Sequence, residues 1–364
     1  MLRARAIVCS KYRKAGKCIM EVNEIFYELP RSLIAPHPSE DRAGSRLMVL
    51  ERLTGKIFHT DFASLGDVLS PGDLLVLNDS RVLPVRLLGR KETGGRVEVL
   101  LLEPFPSQSS LWIALTDCAK KPRLGGNLLF SHGVTATVVG VMGQGRFGLQ
   151  FHHQGDFMEV LSKVGEPPLP PYIHRTRKLE QTDWERYQTV YASSPGSVAA
   201  PTAGLHFTQK LFAELESIGV ERAFLTLHVG PGTFQPVRSE EVESHRMEGE
   251  RYTLGKKAAH RINQVKKCEK RVIAVGSTST RALEGIVQKK GKLGEDHGVT
   301  RIFIRPGFSF RVISGLITNF HLPGSTPLLL VAAFAGLDLV RRAYDEAVRL
   351  RYRFYSYGDA MLII

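Results

Sequence analysis

The second half of the chain contains a run in which an apolar segment passes directly into small polar residues: Arg271-Val272-Ile273-Ala274-Val275-Gly276-Ser277-Thr278-Ser279-Thr280-Arg281. Val272–Val275 is typical of a buried strand, and residues 281–288 have the spacing of a helix. A strand followed by a helix is the repeating unit of an α/β sheet. The run therefore predicts an α/β fold with a small polar turn at the end of one strand.

Helices and strands alternate on both sides of this run. Thr208 is expected to cap a helix that stops at Gly219. The alternation predicts a large α/β domain with an open, barrel-like sheet, formed by residues 20–71 and 156–364. Its further predicted elements are strands at residues 223–229, 301–304 and 312–318 and helices at residues 325–335 and 338–353.

Between residues 72 and 151 the pattern changes to short apolar runs separated by turn residues. Gly-Gly pairs at 94–95 and 125–126 are among these turns, and no helical window lies between the runs. Short strands spaced in this way predict a small antiparallel barrel or sandwich. We expect a small antiparallel β-barrel domain, residues 72–155, inserted into the α/β domain.

The composition is that of a folded, basic protein. The chain has 364 residues, of which 43% are hydrophobic, enough to fill the cores of two domains. Its formal charge of +13 suits a partner that carries phosphates, although many basic enzymes touch no nucleic acid. Residues 1–19 form a basic leader that contributes six of these charges and contains no acidic residue.

The cysteines and the hydropathy pattern exclude several classes of protein. No window is long and apolar enough for a secretory signal or a membrane span, so we expect a cytoplasmic protein with no membrane association. Cys9, Cys18, Cys118 and Cys268 are far apart, with no Cys/His cluster of metal-ligand spacing. We therefore expect free thiols and no metal site.

Three histidines lie beside Gly or Pro residues at predicted ends of strands or helices: His206, His228 and His321. Proteins of the α/β class bind ligands at such ends, and an imidazole can act as acid or base near neutral pH. For any one of them a hydrogen-bonded structural role is an equal alternative. Three such segments in one domain favour a shared cleft.

Taken together, these segments resemble the S-adenosylmethionine:tRNA ribosyltransferase-isomerase family of the queuosine pathway. The resemblance covers almost everything from residue 25 to the end. Family members begin near Met20. Residues 1–19 are therefore expected to be either an over-extended reading frame that is not translated or a disordered segment. The alternative is a basic arm that binds RNA. The most specific motifs are Tyr27-Glu28-Leu29-Pro30, Leu77-Asn78-Asp79-Ser80-Arg81-Val82, Pro168-Leu169-Pro170-Pro171-Tyr172-Ile173, Tyr187-Gln188-Thr189-Val190-Tyr191, Thr318-Asn319-Phe320-His321-Leu322-Pro323 and residues 199–207, 225–237, 273–281 and 352–361.

The resemblance implies a monomer in which a large α/β domain carries an inserted β-barrel domain. It also implies the reaction, in which the ribosyl moiety of S-adenosylmethionine is transferred and isomerised onto the aminomethyl group of 7-aminomethyl-7-deazaguanine at the wobble position of tRNA. The products are epoxyqueuosine-tRNA, adenine and methionine. S-adenosylmethionine is then a co-substrate, tRNA carrying 7-aminomethyl-7-deazaguanine in the anticodon is the partner, and neither cofactor nor metal ion is implied.

The matching segments carry the candidate residues. His206 and His228 are the first candidates for acid and base, followed by His321 and Asp359. Ser277, Thr278 and Arg281 are expected to bind the methionine carboxylate or a ribose hydroxyl, and Asn319 the edge of adenine or of the deazaguanine. Thr202 is a further expected substrate-binding residue. Asn78, Asp79 and Arg81 are expected either to shape the cleft or only to form a joint between the domains.

Two other functions remain as alternatives. An S-adenosylmethionine-dependent RNA methyltransferase normally has a Gly-rich turn after an early strand, and the matches at 143–145 and 230–232 fit this pattern poorly. A non-catalytic tRNA-binding protein would not need the polar turn or the three histidine segments. Both alternatives are therefore less favoured than ribosyl transfer.

Overall fold

The computed structural model describes residues 25–105, 108–174, 179–230, 232 and 242–364, together with two short strands nearer the N-terminus. Most of the basic leader, residues 1–19, lies outside the described residues, so its two interpretations stay predictions.

In chain order the strands are β1 Arg13–Lys14, β2 Lys17–Cys18, β3 Arg46–Leu50, β4 Ile57–Asp61, β5 Leu74–Asn78, β6 Ser80–Val82, β7 Arg86–Lys91, β8 Arg96–Phe105, β9 Gln108–Asp117, β10 Asn127–Leu129, β11 Thr135–Gly143, β12 Arg146–His152, β13 Gly165–Glu166, β14 Ser194–Ser197, β15 Glu221–Leu227, β16 Glu250–Leu254, β17 Val272–Val275, β18 Asp296–Thr300, β19 Gly315–Asn319 and β20 Ala360–Ile363. The α-helices are α1 Phe157–Val164, α2 Pro171–His174, α3 Gln181–Arg186, α4 Gln209–Ser217, α5 Lys256–Lys267, α6 Gly276–Lys290, α7 Thr326–Ala335 and α8 Leu337–Arg349.

A mixed nine-stranded sheet in the order β18-β16-β15-β5-β17-β19-β20-β3-β4 forms the large domain. Its four central strands, β15, β5, β17 and β19, are parallel to one another. Every residue of β5, β17 and β19 is buried, as expected for parallel strands that are covered by helices on both faces. Because parallel strands end at the same edge, the segments that follow β15, β17 and β19 meet there.

Helices cover the two faces of this sheet unequally. The larger core packs α5, α6, α7 and α8 against one face, and the smaller core packs α4 against the other. The predicted cap of α4 is confirmed, since Oγ1 of Thr208 accepts a hydrogen bond from the backbone N–H of Leu211. Gly219, which follows the helix, has a φ of +80°, a conformation that favours glycine.

The predicted antiparallel β-barrel is confirmed. Six strands, β7 to β12, close on themselves because β10 pairs with both β11 and β7. Side chains that alternate along the strands, such as Val97, Val99 and Leu101 of β8, fill its interior. Helix α1 adds Phe157 and Leu161 to this core, and the two-residue β13 pairs with β7.

The structure corrects the predicted boundaries of the inserted domain. Strand β5, expected to open the barrel at residue 72, is a central strand of the large sheet, and the segment 156–166 packs on the barrel instead of the α/β domain. A run of five buried residues has the same pattern in either setting, which is why periodicity did not separate them. Two smaller corrections are that residues 301–304 form no strand and that α6 begins at Gly276, so the polar turn is the first turn of a helix.

No helix in the described ranges is long and apolar enough to cross a bilayer. Within the same ranges, no group of three or more His, Cys, Asp or Glu side chains has the geometry of a metal site. Cys118 and Cys268 are free thiols.

Candidate active site

A cavity, here called the central cavity, opens at the edge of the sheet where β15, β17 and β19 end. It is formed by five separate segments of the chain, so only the folded sheet brings its residues together. A larger groove between residues 25–28 and helices α7 and α8 contains none of the predicted site residues. The central cavity is lined by Ala200, Pro201, Thr202, Ala203, Val229, Gly276, Ser277, Thr278, Thr318, Asn319, His321, Pro327, Tyr355 and Ser356.

Two polar atoms on the wall of the central cavity are buried without a hydrogen-bond partner: Oγ1 of Thr278 and Oδ1 of Asn319. The amide of Asn319 has a fixed orientation, because its Nδ2 donates to the carbonyl oxygens of Tyr355 (3.0 Å) and Ser356 (3.5 Å). The Asn319 side chain therefore presents a hydrogen-bond acceptor, Oδ1, to the cavity. Leaving a buried acceptor unpaired costs about 1–3 kcal/mol, so a ligand that donates a hydrogen bond there gains affinity.

The loop that carries Tyr355 is held by Asp359. The Asp359 carboxylate accepts four hydrogen bonds, three from the backbone and guanidinium of Arg46 and one from the backbone N–H of Arg353. Tyr355 itself has a φ of +76°, which is unusual for a bulky residue and is fixed by its N–H bond to the Phe320 carbonyl (2.9 Å). Asp359, expected as a catalytic residue, thus has its oxygens fully used in positioning this loop.

His321 lies in the wall of the central cavity and is almost fully buried. Its Nε2 is 2.7 Å from Oγ1 of Thr318, and its backbone N–H donates to the hydroxyl of Tyr344 at 3.0 Å. Burial lowers the pKa of His321 to about 3, so the imidazole is neutral at physiological pH.

His206 lies next to the central cavity, at the end of the turn Thr202–His206, and is 5% exposed. Its Nδ1 is 2.7 Å from Oγ of Ser45, whereas its Nε2 is buried and forms no hydrogen bond within 3.5 Å. Burial lowers the pKa of His206 to about 4; a hydrogen-bonding interaction with the Asn319 side chain opposes this shift, and the charges of Arg353 and Arg42 add to it. His206 is therefore also neutral at physiological pH.

These two buried histidines predict that the protein loses stability in mild acid. The unfolded chain protonates each histidine below its ordinary pKa of 6.5, whereas the folded chain keeps them neutral to about pH 4 or below. Because the unfolded state then binds more protons, the free energy of unfolding is expected to fall by about 2 kcal/mol per histidine between pH 7 and pH 5. Urea unfolding at a series of pH values measures this fall. His206→Gln is expected to remove about half of it, and an unchanged pH dependence in this variant would contradict the assignment.

Arg281 lies in a second cavity that shares Ser277 and Pro327 with the central one. Its guanidinium is 6% exposed, forms an ion pair with Glu250, and donates from Nε to the Ile302 carbonyl at 3.3 Å. One guanidinium nitrogen, Nη2, is buried without a partner. This leaves one charged donor available for an anion next to the central cavity.

The third histidine candidate, His228, is not among the residues that line the central cavity. It directly follows β15 and precedes Val229, which does line the cavity. The His228 ring packs against Gly196, where an added Cβ would lie 2.8 Å from Cε1. Its pKa is lowered by burial and by Arg251, while Asp79 opposes the shift.

The candidates that follow β5 also lie outside the central cavity. Asn78 joins β5 to β15: it donates to the Leu227 carbonyl at 2.8 Å and accepts from the Leu227 N–H at 2.9 Å. Asp79 accepts hydrogen bonds from the hydroxyls of Ser193 (2.9 Å) and Thr226 (2.6 Å). Arg81 is exposed and bonds the Ala192 carbonyl at 3.3 Å. All three sit at the joint that leads into the barrel.

Sequence reasoning missed Tyr355, Ser356 and Glu250 as parts of the site. Tyr355 and Ser356 belong to the motif at residues 352–361, but its residue pattern did not indicate a place in the cavity wall. Glu250 had no signal, because it lies on a neighbouring strand and meets Arg281 only in the folded sheet.

Comparison with known proteins adds the decisive observation. The protein family described as "Queuosine biosynthesis protein" matches residues 22–363, nearly the whole chain. The chain belongs to this queuosine biosynthesis family. The predicted resemblance is thereby confirmed.

Individual members of the queuosine biosynthesis family match over their full length. A protein of Syntrophotalea carbinolica named S-adenosylmethionine:tRNA ribosyltransferase-isomerase is 49% identical, covering 95% of this chain and 100% of its own. One of the same name from Carboxydothermus hydrogenoformans is 50% identical with the same coverage. The crystal structure of S-adenosylmethionine tRNA ribosyltransferase from Thermotoga maritima is 37% identical, covers 94% of this chain and all of its own, and aligns with a TM-score of 0.54.

Proposed function

We propose that the protein transfers the ribosyl moiety of S-adenosylmethionine onto the aminomethyl group of 7-aminomethyl-7-deazaguanine at the wobble position of tRNA and isomerises it. The products are epoxyqueuosine-tRNA, adenine and methionine. The full-length similarity to relatives named for this ribosyl transfer and isomerisation carries the proposal. S-adenosylmethionine is a co-substrate, neither a metal ion nor a bound cofactor takes part, and the enzyme works in the cytoplasm as a monomer.

The chemistry needs one group that accepts a proton and one that donates it. The sulfonium of S-adenosylmethionine acidifies the neighbouring C5′ proton, so a modest base can remove it. Adenine leaves more readily when it is protonated, and the substrate amine must arrive neutral. These steps are favoured in a cavity that excludes bulk water.

We assign the acid and base roles to His321 and His206. Both imidazoles are neutral at physiological pH, because burial lowers their pKa values to about 3 and about 4. One of them can therefore accept the C5′ proton and, once protonated, donate it to the departing adenine. Support comes from their positions, one in the wall of the central cavity and one with a buried, unpartnered Nε2 beside it. His228, whose ring lies elsewhere, and Asp359, whose carboxylate is fully bonded, receive no such role.

The unpartnered polar atoms indicate how the co-substrate is held. Oδ1 of Asn319 needs an N–H donor, which the exocyclic amino group of adenine supplies. The hydroxyls of Thr202, Ser277 and Thr278 are placed for ribose hydroxyls. Nη2 of Arg281, in the adjoining cavity, is the partner for the methionine carboxylate, since a guanidinium is the preferred donor to such a group.

The test is a mass-resolved reaction of the protein with S-adenosylmethionine and tRNA that carries 7-aminomethyl-7-deazaguanine. Adenine, methionine and a heavier wobble nucleoside appearing together support the proposal. The same tRNA with unmodified guanine at the wobble position is the control and should release no adenine. Adenosylhomocysteine would indicate a methyltransferase, and binding without turnover would indicate a non-catalytic tRNA-binding protein.

A further inference from the structure

A further cavity, here called the arginine cavity, has His206 in its wall. It shares Ser356 with the central cavity and borders the segment that carries His206. The residues that line it are Pro38, Ser39, Arg42, Arg186, Leu205, His206, Ser356, Tyr357 and Gly358.

Arg42 and Arg186, both half-buried, use their donors on backbone carbonyls. Arg42 donates to the carbonyl oxygens of Glu185 (2.7 Å), Gln188 (2.9 Å) and Leu205 (3.4 Å). Arg186 donates to those of Glu40 (2.9 Å) and Ser39, while its Nε is buried without a partner. These bonds orient the two guanidinium groups but do not neutralise them.

The two charges are close together, and among the described residues neither Arg42 nor Arg186 forms an ion pair with a carboxylate. Burial lowers the pKa of Arg42 most, the charge of Arg186 lowers it further, and Glu185 and Tyr357 oppose this shift. Two adjacent cations at the rim of a cavity are stabilised by an anion, and planar guanidinium groups suit an oxyanion with two or more oxygens.

We propose that Arg42 and Arg186 bind a phosphodiester group of the tRNA backbone next to the wobble nucleotide. The inference rests on the proposed function and deepens it by naming where the RNA strand is held. The arginine cavity adjoins the central cavity at Ser356, so a phosphate bound at its mouth lies beside the cavity proposed for the wobble base. The carboxylate of S-adenosylmethionine is the other oxyanion present, and Arg281, in a separate adjoining cavity, provides for it.

The experiment measures how salt affects tRNA recognition by Arg186→Gln. Each phosphate contact to a single strand contributes about 0.7 to the slope of log affinity against log salt. Arg186→Gln is expected to weaken tRNA binding about tenfold or more and to reduce this slope by about 0.7, with the KM for S-adenosylmethionine unchanged. Arg186→Lys, which keeps the charge, is expected to keep the slope.

Arg52→Gln is the matched control. Arg52 is more exposed than Arg186 but likewise donates to two carbonyl oxygens, those of Ser314 (3.0 Å) and Phe334 (3.4 Å), and has a pKa lowered by burial. It lies near the amino end of β19, the opposite edge of the sheet from the central cavity. Arg52→Gln is expected to leave the slope of log tRNA affinity against log salt unchanged. Thermal melting tests whether each variant is folded.

The outcomes separate this inference from the proposed function. Binding is followed by fluorescence anisotropy and turnover by adenine release, so a wild-type protein that binds the tRNA without turnover contradicts only the proposed function. If Arg186→Gln binds tRNA with the affinity and salt slope of the wild type, the phosphate contact is refuted. If it instead raises the KM for S-adenosylmethionine alone, the cavity binds the carboxylate, and the inference is equally overturned.

Discussion

Arg281→Met is expected to destabilise the protein by about 3–5 kcal/mol and to raise the KM for S-adenosylmethionine by about 10-fold to 100-fold. The first effect arises because Glu250, 4% exposed, loses its buried ion pair with Arg281. The second arises because Nη2 of Arg281 is an unpartnered charged donor in the cavity that shares Ser277 and Pro327 with the central one. Urea unfolding measures the first, and initial rates of adenine release against co-substrate concentration measure the second.

The double variant Arg281→Met with Glu250→Gln separates these two effects. It contains no buried charge at this pair, so most of the lost stability is expected to return. The KM for S-adenosylmethionine is expected to stay high, because the donor to the carboxylate is still missing. A double variant with the wild-type KM would mean that Arg281 acts only by pairing with Glu250.

An exposed ion pair of the same type provides the control. Arg261 pairs with Glu221, and both side chains are 41% exposed. Arg261→Met is expected to cost less than about 1 kcal/mol and to leave the KM unchanged, because solvent already screens this pair.

The sequence predicts those elements of the fold that are determined by residues close to one another in the chain. The helix after Thr208 and the strand-to-helix step at residue 275 follow from periodicity and capping, which involve only neighbouring residues. The assignment of β5 was not predictable in this way, because its four consecutive apolar residues fit a barrel strand or a central sheet strand equally well. Which sheet it joins is decided by partners about 150 and 200 residues further along the chain, β15 and β17.

The same distinction applies to the candidate site. The expectation that polar segments gather at strand ends holds for Thr278, Asn319 and His321, which all line the central cavity. It does not extend to His228, whose ring packs against Gly196 and is not part of the cavity wall. Neither the pairing of Glu250 with Arg281 nor the cluster of Arg42, Arg186 and His206 leaves any trace in residue spacing, since each joins segments that are distant in sequence.

His321→Asn is expected to lower kcat for adenine release by about 10²-fold to 10⁴-fold, the usual contribution of a positioned acid or base. The KM for S-adenosylmethionine is expected to change only a few-fold, because the proposed role of the ring is proton transfer. The segment should keep its position, since the backbone N–H and carbonyl of residue 321 bond the hydroxyls of Tyr344 and Tyr27. Single-turnover rates and thermal melting of the same preparation measure chemistry and folding separately.

His228→Asn is the matched comparison, since it removes an imidazole with a lowered pKa that does not line the central cavity. Its kcat is expected to stay within about threefold of the wild type, well below the loss expected when an acid or base is removed. If His228→Asn loses as much activity as His321→Asn, proton transfer requires the His228 ring, and the tRNA must bring its base to the joint near Asp79. If only His321→Asn loses activity, the reacting atoms lie where β17 and β19 end, in the central cavity.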